Sequence, residues 1–285
     1  MNVPTKKGTG GYNGSTSIIK RIIMNKHQDF IKELSAVTRR VCLYFPEIIA
    51  PVEEAFLWNV SLTPEKTDEY LEQGWRHVSW YYYRNSCSNC RCCLPIRVPV
   101  DKFKPSKSQR RVLKKNIEME FKMFDPVEFA LKYIKQSLSL YNRFLDIRYN
   151  KAPRDLGEYY NEYFVSPAQT LVSALFINGE LAGNGFLDLG KTSLSTIYFS
   201  FDPRFSFFSP GTFSILKEIE WAQKNGLRYY YLGYYIREIG AMRYKGLFRP
   251  FELLDFETGH WKEAEPDIGK DTAGNTKPKM KRWVE

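Results

Sequence analysis

The chain has 285 residues, 43% of them apolar and 16% aromatic, which is enough for one large core or two modest ones and too apolar for a disordered chain. Its formal charge of +10 favours a polyanionic partner through attraction to phosphates. No stretch reaches the roughly 18 uncharged apolar residues of a membrane span, so no membrane partner is expected; five cysteines without a secretory signal read as reduced thiols of a cytoplasmic protein.

In chain order, residues 1–26 read as a flexible basic lead-in, rich in glycine, serine and lysine and lacking an apolar signal core. Residues 27–122 alternate helical and extended pieces and are expected to form a smaller N-terminal domain. Within them Thr63 caps a helix, Pro64 opens its first turn and Gly74 stops it. A single strand is expected from Trp75 to Tyr83, then a cysteine-rich stretch, a short strand in IRVPVDKF, and a basic helix over SKSQRRVLKKNIEMEF capped by Ser106 or Ser108.

From residue 123 to 262 the pattern changes. PVEFALKYIKQSLSLYNRFL has helical apolar spacing. Asn178-Gly179 turns TLVSALFI into ELAGNGFLDLG, a hairpin signal. TSLSTIYFSFDP is a third strand, GTFSILKEIEWAQKNG an amphipathic helix and LRYYYLGYYI a tyrosine-rich strand. The tail, 263–285, is polar and expected to be loose. This order is that of an acetyltransferase-like core. The expected fold class is therefore α/β (α+β), with a GNAT-like C-terminal domain behind the smaller cysteine-containing domain.

Two clusters carry chemistry. Cys87-x-x-Cys90-x-x-Cys93 has knuckle spacing, and Cys42 is a remote fourth thiol. Four thiolates suit tetrahedral zinc or an iron–sulfur cluster; partly buried thiols without metal are the plainer alternative. Cys92 is a bystander or an alternative ligand. The run Lys102, Lys104, Lys107, Arg110, Arg111, Lys114 and Lys115 would contact phosphates, against the alternative of a solvated helix face.

Several blocks together resemble the aminoacyl-tRNA–protein transferases, meaning the arginyl-tRNA–protein transferases and the bacterial leucyl relatives. They are CLYFP at Cys42–Pro46, GWRH at Gly74–His77, CSNCRCCLPIRVPVDKFKPSKSQRR at Cys87–Arg111, YFSFDP with SPGT at Tyr198–Thr212, and YYYLGYYI followed by MRYKGLFRPFELL. GWRHVSW stands where the family pattern has GFRRSG, and Cys92 is an extra thiol; these departures leave the transferred amino acid open. The resemblance implies transfer of leucine or arginine from aminoacyl-tRNA to proteins with N-terminal Asp or Glu, marking them for degradation. It implies no cofactor for the chemistry itself, and iron–sulfur binding with redox sensitivity at the matching cysteines.

The reaction is aminolysis of an activated ester. It needs a groove for the tRNA end, donors for the tetrahedral oxyanion and a cation for the acceptor's carboxylate. A guanidinium forks onto carboxylate, so Arg76, Arg97 and Arg243 are acceptor-binding candidates, with His77 beside Arg76 and Lys245 as a point charge. Strict alternation sets Tyr229, Tyr231 and Gly233 on one face and Tyr230, Leu232 and Tyr234 on the other. Tyr231, Tyr234 and Tyr235 are the catalytic candidates, presenting a hydroxyl to the oxyanion or stacking on the terminal adenine. Asp202, with Asp188 and Glu218, is a carboxylate of the presumed cleft, although before Pro203 it equally suits a turn. Two other readings stay open: an acyl-CoA N-acyltransferase, disfavoured by the glycine-poor DPRFSFFSPGT junction, and a metal-knuckle RNA-binding protein without transferase activity.

Overall fold

The computed structural model describes residues 32–58, 61–85, 87 and 90–265. The basic lead-in (1–26) and all but the start of the polar tail (263–285) lie outside the described residues.

A four-stranded antiparallel sheet is built from β1 (Lys32–Val41), β2 (Ile49–Trp58), β3 (Arg76–Val78) and β4 (Tyr81–Asn85), in the order β1-β2-β4-β3. Helix α1 (Pro64–Glu72) connects β2 to β3; Thr63 accepts from the Lys66 amide, Pro64 begins the helix, and Gly74 at φ +81° ends it. The single strand expected over Trp75–Tyr83 is instead the hairpin β3–β4, with Arg76 opposite Tyr83. Ser79 adopts φ +54°, which reverses the chain, and its Oγ donates to the Asn161 carbonyl at 2.7 Å.

The large sheet has eight strands. It adds β5 (Leu94–Pro99), β6 (Glu120–Phe124), β7 (Thr170–Ile177), β8 (Glu180–Leu189), β9 (Ser193–Phe201), β10 (Tyr229–Tyr235), β11 (Phe251–Asp255) and β12 (His260–Ala264), in the order β12-β11-β5-β10-β9-β8-β7-β6. β5, the IRVPV strand, lies between β10 and β11, so residues on both sides of position 122 share this sheet. Asn178 and Gly179 both have positive φ (50° and 78°), the pair that a two-residue turn matching strand twist requires.

Helices cover both faces. On one, α3 (Pro126–Tyr149) and α4 (Leu156–Tyr163) bury Phe129, Leu140, Tyr159 and Tyr163 against Val172, Ala174 and Phe186. On the other, α5 (Pro210–Lys224) sets Ile215, Leu216 and Ile219 against Leu187, Tyr230 and Leu232, and α2 (Lys107–Lys115) packs Val112 and Leu113 beside it. Covered on both sides, β8 is buried at eight successive positions, from Leu181 to Asp188. The basic helix is shorter than the sequence suggested. Ser106, not Ser108, makes the cap with Gln109; Asn116 ends α2, its amide donating to Val112 and Phe208 carbonyls, and Glu120–Phe124 becomes the edge strand β6.

The sheet splits at its only parallel junction among the described residues. β9 and β10 pair over Tyr229↔Ser193, Tyr230↔Leu194 and Tyr231↔Ser195, and no further. β10 bulges between Tyr231 and Gly233, where Gly233 sits at φ +89°. The bulge shifts side-chain parity, which overturns strict alternation: Tyr230, Leu232 and Tyr235 all enter the α5-side core, and Tyr234 joins the opposite face.

Candidate active site

Arg76 of β3 reaches the cleft where β9 and β10 part. Its Nη1 donates to Ser195 Oγ at 2.8 Å and its Nη2 to the Thr196 carbonyl, so the guanidinium caps the β9 edge that β10 leaves. Lys245 comes from the short 3-10 helix Tyr244–Leu247, and its Nζ donates to the Tyr234 carbonyl at 2.8 Å. Both side chains are buried, and neither forms an ion pair among the described residues. Burial, then the neighbouring Arg76 charge, bring the Lys245 pKa down to about 7, against an opposing influence of the Cys93 thiol.

His77, next along β3, is held internally. Nδ1 lies 2.8 Å from Asp188 Oδ1 and Nε2 2.5 Å from the Ser79 carbonyl, while the ring stacks on Tyr82 at 5.0 Å. With both nitrogens occupied, His77 ties β3 to β8 next to Arg76, and neither ring nitrogen is left for the acceptor contact expected of it. Arg97 is committed too. It donates to Glu252 (2.7 Å), Glu72 (2.5 Å) and the Tyr231 hydroxyl (3.2 Å), and lies over the Tyr229 and Trp261 rings. Through Nε and Nη1 it is paired with structural carboxylates; its Nη2 has no hydrogen-bond partner among the described residues. Arg243 is exposed on α6 (Gly240–Arg243), two residues before the buried Lys245.

Of the catalytic candidates, Tyr231 shares the Arg97–Glu72 network, and Tyr235 packs on Phe251 at 6.0 Å within the core. Tyr234 accepts from the Asn85 amide at 3.3 Å and borders a cavity. Burial pushes the Tyr231 and Tyr234 phenols up, so both stay protonated near neutrality. Asp202 is a turn-former: it caps the 3-10 helix Pro203–Phe208 and pairs with Arg143 at 2.6 Å and Arg204 at 2.8 Å. Burial opposes its ionisation, but the Arg204 and Arg143 hydrogen bonds prevail and bring its pKa to about 2. Glu218, on the α5 side, is held by Ser173, Ser214 and Tyr230 hydroxyls. Neither carboxylate faces the cleft.

Cys42, Cys87, Cys90 and Cys93 line one cavity of about 520 Å³, together with Tyr44, Tyr83, Asn85 and Tyr234. Cys92 is not among its lining residues; burial, Cys90 and Glu238 push its thiol up to about 12. Burial, and then the neighbouring thiols, push Cys93 up to about 12 as well. The donor chemistry suits zinc or iron–sulfur, but among the described residues no three His, Cys, Asp or Glu side chains converge as ion ligands. The four thiols share one cavity, and no step below is routed through a metal.

The seven basic residues are all exposed, five of them on α2 and Lys102 and Lys104 on its lead-in. No carboxylate among the described residues neutralises them. Lys115 donates to the Phe207 carbonyl at 2.6 Å and lies 3.7 Å above the exposed Phe207 ring. The sequence reading missed Gly233, although a glycine inside YYYLGYY is itself the signal of a bulge.

Residues 31–111 match the family "Arginine-tRNA-protein transferase, N terminus" and residues 136–255 its C terminus. The aspartate/glutamate leucyltransferase of Marinobacter nauticus is 35% identical over 197 residues, covering 68% of this chain and 80% of that one. Its Campylobacter jejuni counterpart is 34% identical over 221 residues, covering 75% and 89%. That of Leptospira interrogans is 29% identical over 239, covering 82% and 91%. Similar solved structures include the C-terminal domain of a lysylphosphatidylglycerol synthetase from Agrobacterium fabrum (TM-score 0.42, 13% identity, 56% of this chain and 50% of that one). FemX is another (TM-score 0.39, 11% identity, 49% and 52%). With family matches to both halves and relatives aligned over most of their length, this chain belongs to the aminoacyl-tRNA–protein transferase family, which includes the aspartate/glutamate leucyltransferases.

Proposed function

We propose that the protein is an aminoacyltransferase that moves leucine from leucyl-tRNA to the N-terminal Asp or Glu of acceptor proteins, marking them for degradation in the cytoplasm. The observation that carries this reading is the pair Arg76 and Lys245: two buried basic side chains, with only neutral partners, in the cleft between β9 and β10. Unpaired basic groups in a buried cleft call for an anion, and an acceptor's carboxylate supplies it. Leucine rather than arginine is favoured because the relatives named above are leucyltransferases.

In the reaction, the acceptor's α-amine attacks the ester carbonyl of the charged tRNA and the terminal ribose hydroxyl leaves. With an α-amino pKa near 8, a usable neutral fraction exists at pH 7, so attack needs orientation more than a base. Arg76 and Lys245 would hold the acceptor by its side chain, and the α2 cations would hold the tRNA phosphates without reading sequence. The acyl-CoA alternative fares worse here, because Arg76 already occupies the β9 edge along which an extended donor chain would bond. Among the described residues no helix is long and apolar enough to cross a membrane.

The test is label transfer from Leu-tRNA and Arg-tRNA to peptides beginning with Asp, Glu or Lys. Leucine moving to Asp and Glu peptides, and not to Lys peptides, is the expected result. Binding of Leu-tRNA without transfer to any peptide would return the weight to an RNA-binding role.

A further inference from the structure

The 3-10 helix Pro203–Phe208 carries Phe205, Phe207 and Phe208, and their fates differ. Phe205 and Phe208 pack against the cluster of Met119, Leu175 and Phe213, whereas Phe207 is 73% exposed. The exposed ring is nevertheless held in place. Lys115 Nζ donates to the Phe207 carbonyl at 2.6 Å and lies 3.7 Å above the ring centre, and the Asn116 amide donates to the Phe208 carbonyl at 2.9 Å. The C-terminal end of the basic helix α2 therefore clamps the segment that displays the ring.

The charge beside the ring identifies its partner. Lys115 belongs to the run of seven exposed cations that no carboxylate among the described residues neutralises. An apolar protein surface docked on Phe207 would strip water from these cations without pairing them; a polyanion pairs them. An aromatic ring beside a positive track is the combination that binds single-stranded nucleic acid, the cations following the phosphates and the ring taking the face of a base. A base inside a duplex is already stacked on both faces, so the ring calls for an unpaired one. We propose that Phe207 stacks on an unpaired base in the 3′ end of the tRNA while the α2 cations hold the flanking phosphates. This rests on the functional reading above, which supplies the tRNA.

The strand geometry also says which base. β9 runs from Ser195, in the cleft, to Phe201, about 20 Å at the usual strand rise. The amide of Asp202 then donates to the Ala182 carbonyl, and this fixes the start of the Phe207 segment at the far end of β9. The ester that reacts lies in the cleft with the terminal adenosine, so the base on Phe207 is one upstream of it. Phe207 is thus a positioning residue: it directs the unpaired end from α2 toward the cleft. Stacking releases no counterions and accepts any base, so it contributes affinity that is insensitive to salt and to sequence.

The test is the affinity of the full chain for uncharged leucine tRNA, intact and trimmed of its unpaired 3′ nucleotides. Phe207→Ala should weaken binding of intact tRNA by about tenfold, the scale of one lost base–ring stack. Its salt slope should match the wild type, and its affinity for trimmed tRNA should be unchanged. Phe207→Leu, apolar but without a π face, should behave like Phe207→Ala, and Phe207→Trp should bind at least as tightly as the wild type. A fluorescent purine analogue upstream of the terminal adenosine should be quenched on binding the wild type and not on binding Phe207→Leu. Equal weakening of intact and trimmed tRNA, wild-type affinity in Phe207→Leu, or a change in oligomeric state with tRNA affinity intact would overturn the inference and leave the transferase reading standing. Quenching without leucine transfer by the wild type would strike that reading instead and leave the stacking in place.

Discussion

Arg76 and Arg97 are both buried arginines beside β10, both drawn from family-like blocks, and they do opposite things. Arg97 sits among carboxylates, with Glu72 and Glu252 on its fork and aromatic rings against its faces. Arg76 sits among neutral acceptors with a second basic group nearby. The first arrangement already holds two carboxylates and ties α1, β5 and β11 together. The second is incomplete until an anion arrives. Residue type and burial therefore say less about function than the charge of the partners.

The comparison can be broken at either arginine. Arg76→Ala should lower kcat/KM for an Asp-starting acceptor by about 10²-fold or more, the scale of losing one side of a buried charged contact, with the KM for Leu-tRNA little changed. Arg97→Ala should act on stability instead. Breaking a buried pair costs about 3–5 kcal/mol, and about 3 is expected here because Glu72 is half exposed. Denaturant melts would show the loss, and activity per folded molecule would stay near wild type. Equal effects of both substitutions on acceptor kinetics would erase the distinction.

Basic groups without carboxylates also cover α2, but in water, so each should matter far less. Arg111→Glu with Lys114→Glu should raise the KM for Leu-tRNA by about tenfold and flatten its salt dependence, leaving acceptor KM alone; the check is kinetics from 50 to 200 mM salt. The smallest effect is expected at Asp202. Its carboxyl is held near pKa 2, below its unfolded value near 4, so its stabilisation is present above pH 4 and lost as the pH falls through 2. Melting temperatures of the wild type should fall over that interval more than those of Asp202→Asn. Transfer at neutral pH should be unaffected by this change.

Much of the fold was legible because local chemistry and tertiary structure agree. Thr63-Pro64 and Gly74 bracket α1, Asn178-Gly179 makes the hairpin, and the apolar spacing of α3 and α5 matches the faces they bury. The failures share one cause, which is that short-range patterns do not report a change of direction. Ser79 turns what reads as one strand into two, and Gly233 swaps the faces of a strand that reads as regular. The site was legible in composition and not in pairing. Arg76, Lys245 and Arg97 could be named as basic candidates, but their partners lie from 11 to 155 positions away along the chain. Spacing gathered Cys87, Cys90 and Cys93 with Cys42 around one cavity, while convergence on an ion depends on distances that no spacing supplies.

The central claim is that the Arg76 cleft, and not the Arg97 network, reads the acidic acceptor. The direct measurement is the ratio of kcat/KM for Asp-starting over Asn-starting peptides in the wild type, Arg76→Gln and Arg97→Gln, with Leu-tRNA as donor. The ratio should collapse in Arg76→Gln and survive in Arg97→Gln. A ratio indifferent to Arg76→Gln, or lost equally in both, would contradict that claim.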